Sequence, residues 1–529
     1  MQPVTLVILD GWGIAPLSEG NAIERARTPH LSEFLLRYPS ATLDASGESV
    51  GLPYGEMGNS EVGHLTMGLG RVYYQPLPRI NHAIRSKDFF NNAVLAEALS
   101  TVARKGSRLH LIGLVSTGGV HSTIEHLYAL LEMAKMYNIH RVYVHAITDG
   151  RDAPFNSGLQ FIERIQERLT LFAAGTIASV MGRFWAMDRD GHWDRTQAAF
   201  NAIAHGQSSN TYRSPLTAIQ QHYNTAVYDE MIPPTVIVDD EGKPRAVIDP
   251  DDVVVLFNFR PDRTRQLAHA LRTPIINYFD RGSYTPPAMV TFTEYDPNLS
   301  CPVVFPNERT DETLAETISN AQFSQLHVAE TEKYAHVTYF FNGYQEEPFP
   351  HEERILVPSP RVANYRETPA MSASEVVAAT LGYWQTHRMP ELTVINFANA
   401  DMIAHTGDFE ATRQAIEIVD ASIGQLAEII LRDHGVLMIT ADHGNAEELI
   451  DRGTGRMKTS HTINPVPLYL IAKQWEGLGT GTALSVGKTI GELSDIAPTI
   501  LTILGLPIPE LMTGTNLIPV LTHSAVSTV

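Results

Sequence analysis

Five residues of types that hold a divalent cation fall in three short stretches of this 529-residue chain, each behind an aliphatic run, and a sixth joins them later. Asp10 closes Val4-Thr5-Leu6-Val7-Ile8-Leu9 and opens Asp10-Gly11-Trp12-Gly13. Asp401 and His405, within Asn396 to His405, are four residues apart, the spacing that lets two ligands share a helical face. Asp442 and His443 follow Val436-Leu437-Met438-Ile439-Thr440, and His461 comes later in Thr459-Ser460-His461-Thr462-Ile463-Asn464-Pro465. Taken singly, an aspartate behind a strand is an ordinary turn residue or helix cap, and a lone histidine is ordinarily structural. Three carboxylates and three imidazoles together are about the donor set of two metal sites, and donor type leaves manganese and zinc both open.

Ser60 is the candidate nucleophile. It lies in Gly55-Glu56-Met57-Gly58-Asn59-Ser60-Glu61-Val62-Gly63-His64, a glycine-rich turn entering a helix, where an isolated serine is ordinarily a cap. A serine hydroxyl reacts poorly at neutral pH, but a divalent cation stabilises its alkoxide and removes the need for a partner histidine. The glycines would let the backbone approach a phosphate closely.

These residues need a scaffold of strands and helices in alternation. Leu109-His110-Leu111-Ile112-Gly113-Leu114-Val115 reads as a strand and Ile124 to Met136 as a helix, which is α/β alternation. The longest helical pattern runs from Phe409 to Arg432, with Phe409, Ile416, Val419, Ile423, Leu426 and Ile430 on one face and His434-Gly435 at its end. Proline-rich junctions at Gln75-Pro76-Leu77-Pro78 and from Cys301-Pro302 to Pro306-Asn307 bracket a domain-sized block, and Asp311 reads as the cap of the next helix. The expected plan is two α/β domains: a discontinuous one from 1–76 and 310–529, and an inserted one from 77–309, on two linkers that form a hinge.

Composition narrows the chemistry. With 59 Asp and Glu against 39 Lys and Arg, the formal charge of -20 disfavours nucleic acid or an anionic membrane as a partner. An anionic substrate would require a local reversal of that field, and the middle block supplies Arg151, Arg183, Arg189, Arg260 and Arg263 in loops or behind apparent strands. Guanidinium groups bind two oxygens at once and stay ionised, which suits carboxylate and phosphate. The single cysteine, Cys301, excludes an intrachain disulfide; the opening residues read as a strand and not as a signal peptide, and no apolar stretch is long enough for a bilayer, so a cytoplasmic protein is expected.

Together, Asp10-Gly11-Trp12-Gly13, Gly58 to His64, Asp149-Gly150-Arg151-Asp152, Phe257-Asn258-Phe259-Arg260-Pro261-Asp262-Arg263 and Thr440 to Asn445 make the chain resemble the cofactor-independent phosphoglycerate mutases of the alkaline phosphatase superfamily, over essentially its whole length. The resemblance implies an alkaline-phosphatase-like metal domain with the inserted domain carrying the substrate. It implies that Asp401, His405 and His461 hold one divalent cation and Asp10, Ser60, Asp442 and His443 a second, with manganese expected and zinc or cobalt as alternatives. His121, Arg151, Asp152, Arg183, Arg189, Arg260 and Arg263 would bind phosphoglycerate, joined by Lys333 from the metal domain. Ala400 and Ala404 depart from the usual pattern, which bears only on local backbone geometry.

The implied reaction interconverts 3- and 2-phosphoglycerate through a phosphoserine at Ser60, with glycerate retained, Asp152 as base for the acceptor hydroxyl, and no bisphosphoglycerate primer. Burial would raise the Asp152 pKa and nearby arginines would lower it. A phosphoserine open to water would be lost, so the domains are expected to shut during transfer. His64, Trp12 and Asn445 read as supporting residues, and the enzyme as a monomer. Rival readings are a phosphohydrolase or phosphopentomutase of the same superfamily, or a silent metal-stabilised binding protein.

Overall fold

The computed structural model describes residues 2–523 apart from 480, 482 and 483. The chain divides into two compact units, one from 1–75 and 309–529 and the other from 76–308.

The first unit is built on an eight-stranded sheet in the order Glu352–Val357, Gln325–Glu330, Leu392–Phe397, Val4–Leu9, Val436–Thr440, Val466–Ile471, Ser40–Asp44, Thr489–Glu492. Its first five strands run parallel. Val4–Leu9 is buried along its whole length and pairs with Leu392–Phe397 on one side and Val436–Thr440 on the other, as a continuous β-branched and aliphatic run requires of a central strand. The helix Phe409–Arg432 packs Ile416, Val419, Ile423, Leu426 and Ile430 into the core, with Asp408 capping its start and His434 in the left-handed conformation just beyond its end.

The second unit has a seven-stranded sheet in the order Asn210–Tyr212, Thr235–Ile237, Gly175–Gly182, Val142–Thr148, Leu109–Leu114, Val253–Leu256, Ala288–Thr291. Both faces are covered: Val253 and Val255 belong to one apolar core, Val254 and Leu256 to the other.

Two local expectations are corrected. Asp311 does not cap the next helix, because Glu312 turns through a positive φ and Thr313 becomes the cap of Leu314–Asn320, its hydroxyl accepting from the Glu316 amide at 3.0 Å. Asp311 pairs instead with Arg309. The proline-rich segment at Pro302 is not a free linker either. Val304 and Phe305 donate their amides to the carbonyls of Thr291 and Phe292, which extends the second sheet, and the second unit runs on to Glu308. Proline lacks a donor, but its neighbours do not, so a proline-rich run can still hydrogen-bond along a sheet edge.

Candidate active site

The first unit brings the expected ligands to the C-terminal ends of adjacent parallel strands, where open α/β sheets gather their functional groups. Asp10 follows Val4–Leu9, Asp401 follows Leu392–Phe397, and Asp442 and His443 follow Val436–Thr440. Gly11 makes this convergence possible: its φ is +69°, and a Cβ there would lie 2.7 Å from that of Asp401.

Ser60 is the first residue of the helix Ser60–Leu69, and the cap is its neighbour Asn59, whose side chain accepts from the Val62 amide at 3.1 Å. The serine hydroxyl is therefore free of capping duty. Its Oγ lies 3.2 Å from Asp10 Oδ1, 3.0 Å from His443 Nε2 and 2.8 Å from Lys333 Nζ. Lys333 also donates to Asp10 Oδ1 at 2.6 Å and Asp401 Oδ2 at 2.7 Å. It thus sits against the serine, in the other unit from the arginines.

The residues fit the cations that the donor set implies. His405 and His461 turn Nδ1 to the carbonyls of Thr459 (2.7 Å) and Gly58 (2.9 Å). With the hydrogens there, their Nε2 lone pairs face each other at 3.1 Å, and Asp401 Oδ1 is 3.2 and 3.4 Å away. Three acceptors converging in this way call for a positive ion, and such second-nitrogen hydrogen bonds orient metal-binding imidazoles. Beside them, Asp442 Oδ2 is buried without a hydrogen-bond partner and lies 3.5 Å from His443 Nε2.

Electrostatics agree with this reading. Burial, with Asp442 beside it, pushes the Asp10 carboxyl up to about 6. Burial also works against charge on Asp401, yet the Lys333 ammonium beside it holds it well below the usual range. Burial likewise opposes the Lys333 ammonium, and Asp10, Asp401 and Asp442 raise it regardless. One lysine among three buried carboxylates leaves negative charge for bound cations to neutralise. A cavity of 470 Å³ opens onto Ser60, Lys333, His336, Asp401, Met402, His405 and His461.

The arginines occupy the matching position in the second unit, behind the C-terminal ends of Val142–Thr148, Gly175–Gly182 and Val253–Leu256, and His121 follows the neighbouring strand Leu109–Leu114. Arg183 is buried and donates to Asp149 Oδ1 at 2.7 Å and Asp152 Oδ2 at 2.5 Å. Asp149 also accepts the Arg151 and Asp152 amides and the Ser116 hydroxyl, which fixes the turn that presents Asp152. Asp262 ties Arg189 (2.9 Å) to Arg260 (3.1 Å) and lies 3.7 Å from His121. Burial and the charge on Arg183 depress the His121 pKa to about 4, so its imidazole is neutral at pH 7. Arg263 donates to the Met187 carbonyl at 3.4 Å, and Arg151 stands 3.7 Å from Glu230.

Sequence reasoning missed Asn396, Glu447, Asp149 and Asp262 as members of these clusters. Asn396 donates to Asp10 Oδ2 at 2.8 Å and lies 3.1 Å from His64 Nε2, while His64 Nδ1 bonds the Ser60 carbonyl at 2.8 Å. The available signal was a polar residue at a buried strand end. Asn445, read as supporting, donates to Asp401 Oδ1 at 2.8 Å.

Comparison with known proteins agrees with the geometry. Residues 80–297 match the family model described as the BPG-independent PGAM N-terminus. The chain is 46% identical over 517 residues to 2,3-bisphosphoglycerate-independent phosphoglycerate mutase 2 of Methanosarcina acetivorans, covering 98% of this chain and 97% of that one. It is 47% identical to the 2,3-bisphosphoglycerate-independent phosphoglycerate mutase of Thermomicrobium roseum, covering 97% and 98%. Among solved structures, a Leishmania mexicana phosphoglycerate mutase determined at low cobalt concentration superposes with a TM-score of 0.50 at 31% identity, covering 97% of each chain. With its serine free of capping and its ligands gathered at the strand ends, this chain belongs to the 2,3-bisphosphoglycerate-independent phosphoglycerate mutases.

Proposed function

We propose that the chain interconverts 3-phosphoglycerate and 2-phosphoglycerate, with Ser60 as the temporary phosphoryl carrier. The observation that carries this reading is Ser60 Oγ, left free by the Asn59 cap and bracketed by Asp10, His443 and Lys333.

Asp401, His405 and His461 would hold one divalent cation, and Asp10, Ser60, Asp442 and His443 the other, with manganese favoured over zinc or cobalt. Such cations lower the pKa of a serine hydroxyl and neutralise phosphoryl oxygens. Ser60 Oγ attacks phosphorus as the bond to the substrate's 3-oxygen breaks. The serine proton passes by way of Lys333, which bonds Ser60 Oγ, to the departing oxygen to leave a 3-hydroxyl, while the Lys333 ammonium offers its other hydrogens to the phosphoryl oxygens. Arg183, Arg189, Arg260, Arg263 and Arg151 retain the glycerate carboxylate and hydroxyls, with neutral His121 beside them. Asp152 takes the proton of the 2-hydroxyl, whose oxygen attacks phosphorus as the bond to Ser60 Oγ breaks; Ser60 Oγ regains a proton from Lys333, and Asp152 and Lys333 exchange protons with solvent as product leaves. No primer is consumed. We take the enzyme to be a cytoplasmic monomer; its single cysteine suits a reducing compartment, and among the described residues no helix is long and apolar enough to cross a membrane.

The test is to incubate manganese-loaded protein with 3-phosphoglycerate and no bisphosphoglycerate. Formation of 2-phosphoglycerate, and loss of both isomerisation and phosphoenzyme in Ser60→Ala, is the expected result. Free phosphate alone would mark a hydrolase, and activity surviving in Ser60→Ala would remove the serine from the mechanism.

A further inference from the structure

Two residues beyond Asn445, Glu447 is completely buried, yet it is neither one of the ligands assigned above nor a group in contact with substrate. Its four donors are all uncharged. Oε2 accepts the amide of Gly13 at 3.0 Å and the amide of Asn445 at 2.8 Å. Oε1 accepts the Thr462 hydroxyl and the Asn464 side-chain amide, the latter at 3.0 Å. These donors lie on the three loops that carry Asp10, Asp442 with His443, and His461. The approach is close on two sides: a Cβ at Gly13 would lie 2.5 Å from Oε1, and one at Gly444 would lie 2.5 Å from the same oxygen.

A buried carboxylate is costly unless its oxygens are fully hydrogen-bonded, and here four donors from three separate loops satisfy it. The arrangement closes only when all three loops stand in one relative position. The geometry points to Glu447 as the positioning residue that sets the spacing of the cation ligands, tying the Asp10, Asp442-His443 and His461 loops together before any ion arrives. Replacing the carboxylate by an amide leaves the size unchanged but puts two hydrogens where one pair of donors now points, so one side of the clasp must open. The inference rests on the ligand assignment of the proposed function.

Calorimetric Mn²⁺ titration of Glu447→Gln tests it, with amide exchange at Gly13 and Asn445 in the cation-free protein as a second readout. Mn²⁺ affinity is expected to fall by roughly 10- to 100-fold, as for other partners that orient ligands, with faster exchange at both amides. KM for phosphoglycerate at saturating Mn²⁺ is expected to stay within about twofold, because the arginines are untouched. A folded Glu447→Gln that binds Mn²⁺ like the unmodified chain, or whose two amides stay equally protected, overturns the proposal. If Glu447→Gln does not fold, Thr462→Val decides: several-fold weaker Mn²⁺ binding supports the clasp, and unchanged binding refutes it. Asp401→Asn separates this inference from its foundation. If that variant binds Mn²⁺ normally, the ligand assignment itself is wrong; if it loses Mn²⁺ while Glu447→Gln keeps it, only the role of Glu447 is wrong.

Discussion

The two functional clusters solve the same placement problem in opposite ways. Each gathers its residues at the C-terminal ends of neighbouring parallel strands. In the first unit Asp10, Ser60, Asp401, Asp442 and His443 are all buried, and their positions are over-determined by hydrogen bonds from Asn396, Asn445 and the backbone. In the second unit the side chains of Arg151, Arg189 and Arg260 are 55%, 45% and 49% exposed, and of the five candidate substrate-binding arginines Arg183 alone is buried. On the proposed function, a centre that binds ions and does chemistry is built rigid before its ligands arrive, while a cradle for a small flexible acid keeps long side chains that settle on the substrate. Asp262 stands in for that acid, holding Arg189 and Arg260 together.

The largest expected effect of this difference is kinetic. Ser60→Ala should lower kcat by roughly 10⁴-fold or more with little change in thermal stability. Arg260→Ala should instead raise KM roughly tenfold, through loss of one charge-assisted hydrogen bond to substrate. Steady-state kinetics on both variants would break the comparison if Arg260→Ala lowered kcat as Ser60→Ala does.

Within the cradle, Arg183 should behave as part of the rigid class. Removing it strands Asp149 and Asp152 without their buried partner, at a cost of about 3–5 kcal/mol, whereas Arg260→Ala should cost under about 1 kcal/mol. Urea unfolding of the two variants measures the contrast, and equal midpoints would erase it.

Acid should weaken the second unit through its buried histidines. His126 donates from Nε2 to Asn81 at 3.0 Å, its Nδ1 is buried without a partner, and burial lowers its pKa to about 3 from 6.5. Between those values the unfolded chain takes up a proton that the folded chain refuses, so stability is lost as pH falls below 6.5. The loss from this group is about 1.4 kcal/mol per pH unit. Urea titrations at pH 7 and pH 5 should show a shallower decline in His126→Gln; an unchanged decline would assign the acid sensitivity to other groups.

The smallest effect concerns the helix that presents the serine. Asn59→Ala removes one capping bond and should cost about 1 kcal/mol of stability, read as a small fall in Tm. A neutral result would mean that tertiary contacts alone hold the helix start.

Much of this was legible in local sequence. Val4 to Leu9 could only be an interior strand, Phe409 to Arg432 only a long amphipathic helix, and Asp401 with His405 fell on one helical turn as their spacing required. What misled was punctuation: the prolines around Pro302 read as a linker, yet the amides of Val304 and Phe305 joined a sheet edge that no local pattern reveals. Asp311 looked like a cap, but the positive φ at Glu312 moved the helix start to Thr313.

The amino-acid sequence alone singled out the candidate metal and substrate groups and placed most of them behind strands, because residue type and hydrophobic period are written over a few neighbouring positions. Tertiary structure decided that Ser60 escapes capping, that Lys333 sits on its hydroxyl, and that Glu447 joins loops around residues 13, 445 and 462. The contacts of Lys333 with Ser60 and of Glu447 with Gly13 link positions 273 and 434 residues apart, and a buried carboxylate finds such donors only after the sheet has brought their strands side by side.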